Sequence, residues 1–256
     1  MRPTLWHPRK VQDVVWRFAV VAVGLCAACT DPTVTEDNYG TIFITSAPGD
    51  DGYTTNIGGS WGHRRLTDAE SHEDGACKVQ TYADVSTDRI DSGVVTVTDD
   101  KNGAIAVSPD ANGYYNMDLP GVPFVSGSTL TIASPGAEVP AFSETIVFPP
   151  SISGDVTYAP PSVSRGSDFT MTWVPLAGRI VISLDQKGGG RSRTVDCSYD
   201  GQLGVAAIPP SVLSTFGRGT VGVLISSDTV VEDQIGDYAS RFVATYWRLR
   251  VTIPID

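Results

Sequence analysis

The sequence predicts an all-β chain in which two tandem antiparallel β-sandwiches, Ig-like or related, follow an N-terminal export signal. Three observations predict it. Short runs rich in Val, Ile and Thr recur about every ten residues, with Gly, Asn, Asp or Pro between them. No stretch sustains the 3.6-residue apolar period of a helix. Pro149-Pro150 divides the strand-bearing residues into two sets of ordinary domain size.

Composition agrees with a folded body. Of 256 residues, 41% are hydrophobic and 18% charged, enough apolar side chain for a core and too little charge for a disordered chain. The formal net charge of −11 argues against nucleic acid, whose phosphates need a basic footprint. Four cysteines are too few to build a disulfide scaffold.

The first residues read as an address. Arg2, Arg9, Lys10 and Arg17 face only Asp13, and Phe18 to Ala28 then run without charge. That apolar stretch is shorter than the roughly 20 residues a bilayer core requires, and has the form of a signal peptide. Its end, Leu25-Cys26-Ala27-Ala28-Cys29, resembles a bacterial lipobox, and the resemblance implies a lipid on Cys29. Without the leader, which carries a net +3, the −11 of the whole chain becomes −14. Thr30 after Cys29 favours the outer membrane, by resemblance to the enterobacterial sorting rule; a soluble secreted or periplasmic form is the alternative. The expected organisation is leader 1–28, flexible tether 29–39, first sandwich 40–150 and second sandwich 151–256.

The elements follow in order. Thr41–Thr45 is the first expected strand. In Gly93–Thr98, Val95 and Val97 alternate with Thr96 and Thr98, and Asn102-Gly103 supplies the positive φ for a hairpin back through Ala104–Val107. Asp110-Ala111-Asn112-Gly113 turns into Tyr114-Tyr115, and Thr129–Ile132 and Thr145–Phe148 complete the first set. In the second set, Phe169, Met171 and Trp173 alternate with Thr170 and Thr172. Arg179–Leu184, Thr194–Tyr199 and Val221–Ile225 follow, with Val195, Cys197 and Tyr199 on one face. In the last strand, Arg241–Ile253, strict alternation puts Val243, Thr245, Trp247, Leu249, Val251 and Ile253 together. Pro209–Phe216 is the one short helix expected, with Pro at its start and Gly217 at its end.

Candidate sites are sparse. Gly58-Gly59-Ser60-Trp61-Gly62 matches G-x-S-x-G, the nucleophile elbow, which works at a sharp strand-to-helix turn with a base later in the chain. Only His63 and His72 follow, close behind, so a serine hydrolase using Ser60 is the most distant reading. His63, Asp68, Glu70, His72, Glu73 and Asp74 form the densest polar cluster, but their spacing matches no metal-ligand pattern and reads as a solvated acidic loop. Thr98, Asp100, Asn102 and Gly103 are similar to half an EF-hand loop, without its closing Glu. Lys187, Arg191 and Arg193 surround a Gly-rich loop and read as solubilising charges at a hairpin tip, not as a phosphate site. Trp61, Tyr114 and Tyr115, with Tyr53, could form an aromatic platform for glycans, although aromatics in strands more often belong to a core. Cys77 and Cys197 are the two thiols left after the leader and Cys29. Export makes them a candidate disulfide, which their positions in different expected domains leave open.

Gly75–Val79, Gly93–Val97, Val139–Phe142, Asp168–Trp173 and Ile208–Leu213 together resemble exported lipoproteins of Gram-negative bacteria that carry tandem β-sandwich domains. The resemblance covers most of residues 75–225 and is one of structural pattern, so it transfers no catalytic or binding residue. The expected function is a non-enzymatic cell-envelope lipoprotein acting as a structural or binding module. Its expected partners are the membrane, through the lipid anchor, and an envelope protein or glycan, with no nucleic acid, metal or cofactor. Surface carbohydrate binding is the alternative.

Overall fold

Strand follows strand from Val34 to Ile255 in the computed structural model, which describes residues 34–49, 52–67, 70–82, 84–101, 103–121, 124–159, 161–188 and 191–256. The chain begins with a long hairpin, β1 (Val34–Gly49) and β2 (Gly52–Thr67), then β3 (Glu70–Asp74), β4 (Cys77–Tyr82) and β5 (Asp84–Ile90). The strands β6 (Val95–Asp99), β7 (Gly103–Val107), β8 (Tyr114–Pro120), β9 (Thr129–Ser134) and β10 (Phe142–Val147) precede Pro149-Pro150. Beyond it lie β11 (Thr157–Ala159), β12 (Phe169–Thr172), the hairpin β13 (Arg179–Gly188) and β14 (Arg191–Asp200), and β15 (Val205–Ile208). A single-turn helix α1 (Pro210–Leu213), with Pro at its first position, leads to the longest hairpin, β16 (Gly219–Ile235) and β17 (Tyr238–Ile255). The chain is nearly all β.

These strands form three sheets. The largest has ten strands in the order β3-β4-β14-β13-β16-β17-β1-β2-β5, with β8 also on β2. Its pairings are antiparallel except that of β1 with β17, which run parallel from Tyr39/Ala239 to Ser46/Tyr246. The other sheets are β10-β9-β6-β7 and β11-β12-β15.

Each small sheet covers one core on the large sheet. In the first, Ile42, Ile44, Trp61 and Tyr115 of the large sheet meet Val95, Val97, Leu130, Ile132 and Phe142 of the four-stranded sheet. In the second, Ile180, Ile182, Leu184, Val223 and Ile225 meet Phe169, Met171, Trp173, Ala206 and Ile208. Burying these alternating faces removes apolar area from water at about 25 cal/mol per Å², the main drive for closing the layers.

The cores do not follow the expected division into 40–150 and 151–256. Cys77 and Val79, from the N-terminal half, lie in the second core. Ile235, Phe242, Ala244 and Tyr246, from the C-terminal half, lie in the first. One continuous sheet therefore serves both cores, and Pro32–Asp256 is one compact unit. The expected tether also changes, because its residues from Val34 to Tyr39 belong to β1; residues 1–33, with the leader and Cys29, lie outside the described residues.

The last strand departs from strict alternation. Ile225 pairs with Leu249 and Ser226 with Trp247, leaving Arg248 as an extra residue in β17. Such a bulge reverses the parity of the strand. Phe242, Ala244 and Tyr246 face the first core before it, and Leu249, Val251 and Ile253 pack in the second core after it. Val243, Thr245 and Trp247 thus do not share the face of Leu249, Val251 and Ile253.

Candidate functional site

The aromatic trio is split by the core. Trp61 and Tyr115 are fully buried, whereas Tyr114 is half-buried with the Arg89 guanidinium 5.4 Å from its ring centroid. Trp61 packs edge-on against Tyr115, with centroids 5.9 Å apart, and lies 5.1 Å from Phe142 of the covering sheet. Ser92 and Tyr115 join hydroxyls at 2.7 Å, and the Tyr115 hydroxyl donates to the Gly93 carbonyl. An exposed glycan platform of Trp61, Tyr114 and Tyr115 is therefore not formed. Tyr114 and Tyr115 are consecutive in β8 and must point to opposite faces, a signal already present in the period of a strand.

Ser60 sits in the middle of β2, not at a strand-to-helix turn. Only 9% exposed, its Oγ lies 3.3 Å from the Tyr39 hydroxyl, while His63 turns Nδ1 to Asn38 Oδ1 at 2.6 Å. The nucleophile-elbow reading of Ser60 fails on this geometry. The glycines around Ser60 have a packing role: a Cβ on Gly58 would lie 2.6 Å from Phe43 Cε2, and Gly59 holds φ +154° against the Thr41 backbone.

Glu70, His72 and Glu73 are exposed on β3, an edge strand whose charges discourage pairing with another chain. Among the described residues no group of three or more His, Cys, Asp or Glu is placed to hold a metal ion. Asp68 lies outside those residues. Gly103, at φ +73°, closes the β6–β7 hairpin, and Asp99 Oδ1 accepts the Lys101 N–H.

Cys77 and Cys197 stand opposite each other on β4 and β14 and are joined by a disulfide that closes 120 residues of chain. Both are buried in the second core. The sheet brings them together by carrying β4 across to the strands of the C-terminal half.

Two polar clefts among the described residues gather charged side chains. The larger, about 910 Å³, is lined by Asp37, Glu232, Asp233 and Asp237 together with Lys78 and Arg241. Near this cleft, burial, and then the Asp233 carboxylate, raise the pKa of Glu144 above its ordinary value. The second, about 600 Å³, collects Lys187, Arg191, Arg193 and Arg218 with Thr81 and Gln186. Gln186 organises it: Nε2 donates to the Gly217 and Thr220 carbonyls at 3.0 and 3.1 Å, and Oε1 accepts the Gly217 N–H at 2.7 Å. Arg193 Nε donates to Thr81 Oγ1 at 2.9 Å. Sequence reading finds Lys187, Arg191 and Arg193 and misses Arg218, which no local spacing connects to them.

No protein-family model matches the chain. No curated protein matches it either. Among solved structures, it is similar to a Ca²⁺-stabilized adhesin that helps an Antarctic bacterium reach out and bind ice. That match has TM-score 0.21 and 12% identity, covering 88% of this chain and 75% of that one. At that similarity nothing transfers between the two chains.

Proposed function

We propose that the chain is an exported cell-envelope lipoprotein, anchored through Cys29, that serves as a non-enzymatic structural or binding module. The disulfide between Cys77 and Cys197 carries this reading. Such bonds persist in oxidising compartments and are rare in the cytosol, which supports export and agrees with the basic start and apolar run before Cys29. The place of Ser60 in the middle of β2, with its Oγ near the Tyr39 hydroxyl while His63 turns to Asn38, supports a role without catalysis. Two covered cores on one shared sheet make a rigid frame, and rigid frames suit the presentation of loops and clefts to a partner.

Metabolic labelling with an alkyne fatty acid, followed by membrane fractionation, tests the anchor. Wild-type chain takes up label and sediments with the outer membrane, while Cys29→Ala loses both label and membrane association. Unlabelled wild-type chain in the soluble fraction would overturn the anchored reading.

A further inference from the structure

We infer that β7, an open edge of the four-stranded sheet, pairs with β7 of a second copy of the chain and joins two such sheets edge to edge. The inference goes beyond the binding role above and does not depend on the lipid anchor.

Among the described residues the other sheet edges are guarded against such pairing. β3, β5, β8 and β10 each carry Asp or Glu within their length, and β11 is only three residues long. At β15 the Tyr199 hydroxyl donates to the Ala207 carbonyl. β7 is Gly103-Ala104-Ile105-Ala106-Val107, with no charge and no Pro. Among the described residues it pairs on one side alone, with β6, and a bridge between Pro109 and Tyr115 lies past its end. Its other side thus presents backbone N–H and C=O groups without a strand partner, a template that a further strand completes.

The pattern of β7 selects its own copy. Antiparallel pairing about a two-fold axis puts Ile105 opposite Ile105, Ala104 opposite Ala106 and Gly103 opposite Val107 of the second copy, the register that overlaps all five residues. Parity is kept in that register. Ile105, half-buried against the first core, and the buried Val107 stay on the core-facing side in both copies, while the exposed Ala104 and Ala106 meet on the other. Their methyl groups leave the backbones free to approach. A chain of net charge −11 repels its own copy wherever carboxylates meet, and β7 offers five residues free of them. The contact also uses up the edge it forms on, so association stops at two copies.

Sedimentation equilibrium of the full chain in detergent tests the pairing. Wild type should show a reversible monomer–dimer equilibrium. Ala104→Lys combined with Ala106→Lys should weaken it by about tenfold or more, because each lysine then faces a lysine of the second copy. Ser143→Lys with Thr145→Lys, also exposed but on β10 at the opposite edge of the same sheet, should leave it unchanged. Circular dichroism and thermal unfolding like those of wild type confirm that both variants fold. The register has its own readout: a mixture of Ala104→Cys and Ala106→Cys chains should cross-link on mild oxidation several-fold more than either chain alone. A chain that stays monomeric up to about 1 mM, a dimer that survives the β7 lysines or is weakened equally by those on β10, or cross-linking no greater in the mixture overturns the proposal. None of these results bears on the labelling of Cys29, so the two readings fall separately.

Discussion

Gly40 and Trp61 stand directly opposite each other on β1 and β2, and the indole of Trp61 lies over the space a side chain at Gly40 would fill. A Cβ on Gly40 would fall 2.6 Å from Trp61 Cε2, well inside contact distance. The bare backbone of Gly40 lets Trp61 lie flat and reach Phe142, Tyr115 and Phe242. An aromatic ring covering a cross-strand glycine supports a strand that otherwise lacks side chains to pack.

Gly40→Ala should therefore destabilise the fold by about 1–3 kcal/mol, the usual cost of overpacking a dense core. Combining it with Trp61→Phe should recover part of that loss, because the smaller ring leaves room for the methyl. Urea denaturation of the two single variants and the double variant checks the coupling; purely additive losses would show that the two residues do not press on each other.

Removal of the disulfide should be costly. Cys77→Ala with Cys197→Ala frees a closed loop of 120 residues, for which chain entropy alone gives about 4–5 kcal/mol. The same drop should appear in wild type under strong reductant and not in the double variant. A loss below about 1 kcal/mol would mean that the β4–β14 pairing holds without the bond.

Trp173 is a second anchor. It is 4% exposed, and its Nε1 donates to the Gly201 carbonyl at 2.9 Å. Trp173→Ala should cost about 3–5 kcal/mol, and Trp173→Phe less, since it keeps most of the ring but leaves the Gly201 carbonyl without that donor. Thermal unfolding followed by circular dichroism measures both.

Asp228 gives a pH dependence whose sign is fixed. Burial raises its pKa above the ordinary 3.8, only partly offset by Ser226, Arg179 and Arg241, and its Oδ1 has no hydrogen-bond partner among the described residues. The folded state therefore binds the proton more tightly than the unfolded chain. Between 3.8 and the raised value the folded state holds more protons, so this group makes stability fall as pH rises through that window and contributes no further change above it. Asp228→Asn removes the titration. Its stability relative to wild type should climb from pH 4 to pH 7 in urea titrations, and parallel pH curves would refute the assignment.

Much of this protein is local and was legible as such. Period-2 alternation placed Val95 and Val97, Phe169, Met171 and Trp173, and Val195 and Cys197 on buried faces, where they lie. Pro209-Pro210 marked the start of α1, and Asn102-Gly103 the β6–β7 hairpin. Strands without such a pattern were not legible. β2 carries Gly58, Gly59 and Gly62 in place of β-formers, and β3 is Glu70-Ser71-His72-Glu73-Asp74, an edge made almost wholly of polar groups. The bulge at Arg248 has no signal of its own and is set by the pairing with β16.

The sequence by itself determined an all-β chain and most of its buried faces, because alternation and turn chemistry act over a few residues. Tertiary structure alone decided which strands became neighbours. It carried β4 to the second core, so that Cys77 meets Cys197, and it carried β16 and β17 across both cores. It placed Arg218 beside Lys187, Arg191 and Arg193, and it buried Trp61 against Tyr115 and Phe142. The physical reason is common to all of these. A strand's own residues specify which face is apolar, but any apolar face can cover any other, and the partner is chosen only when the whole chain buries all of its faces at once.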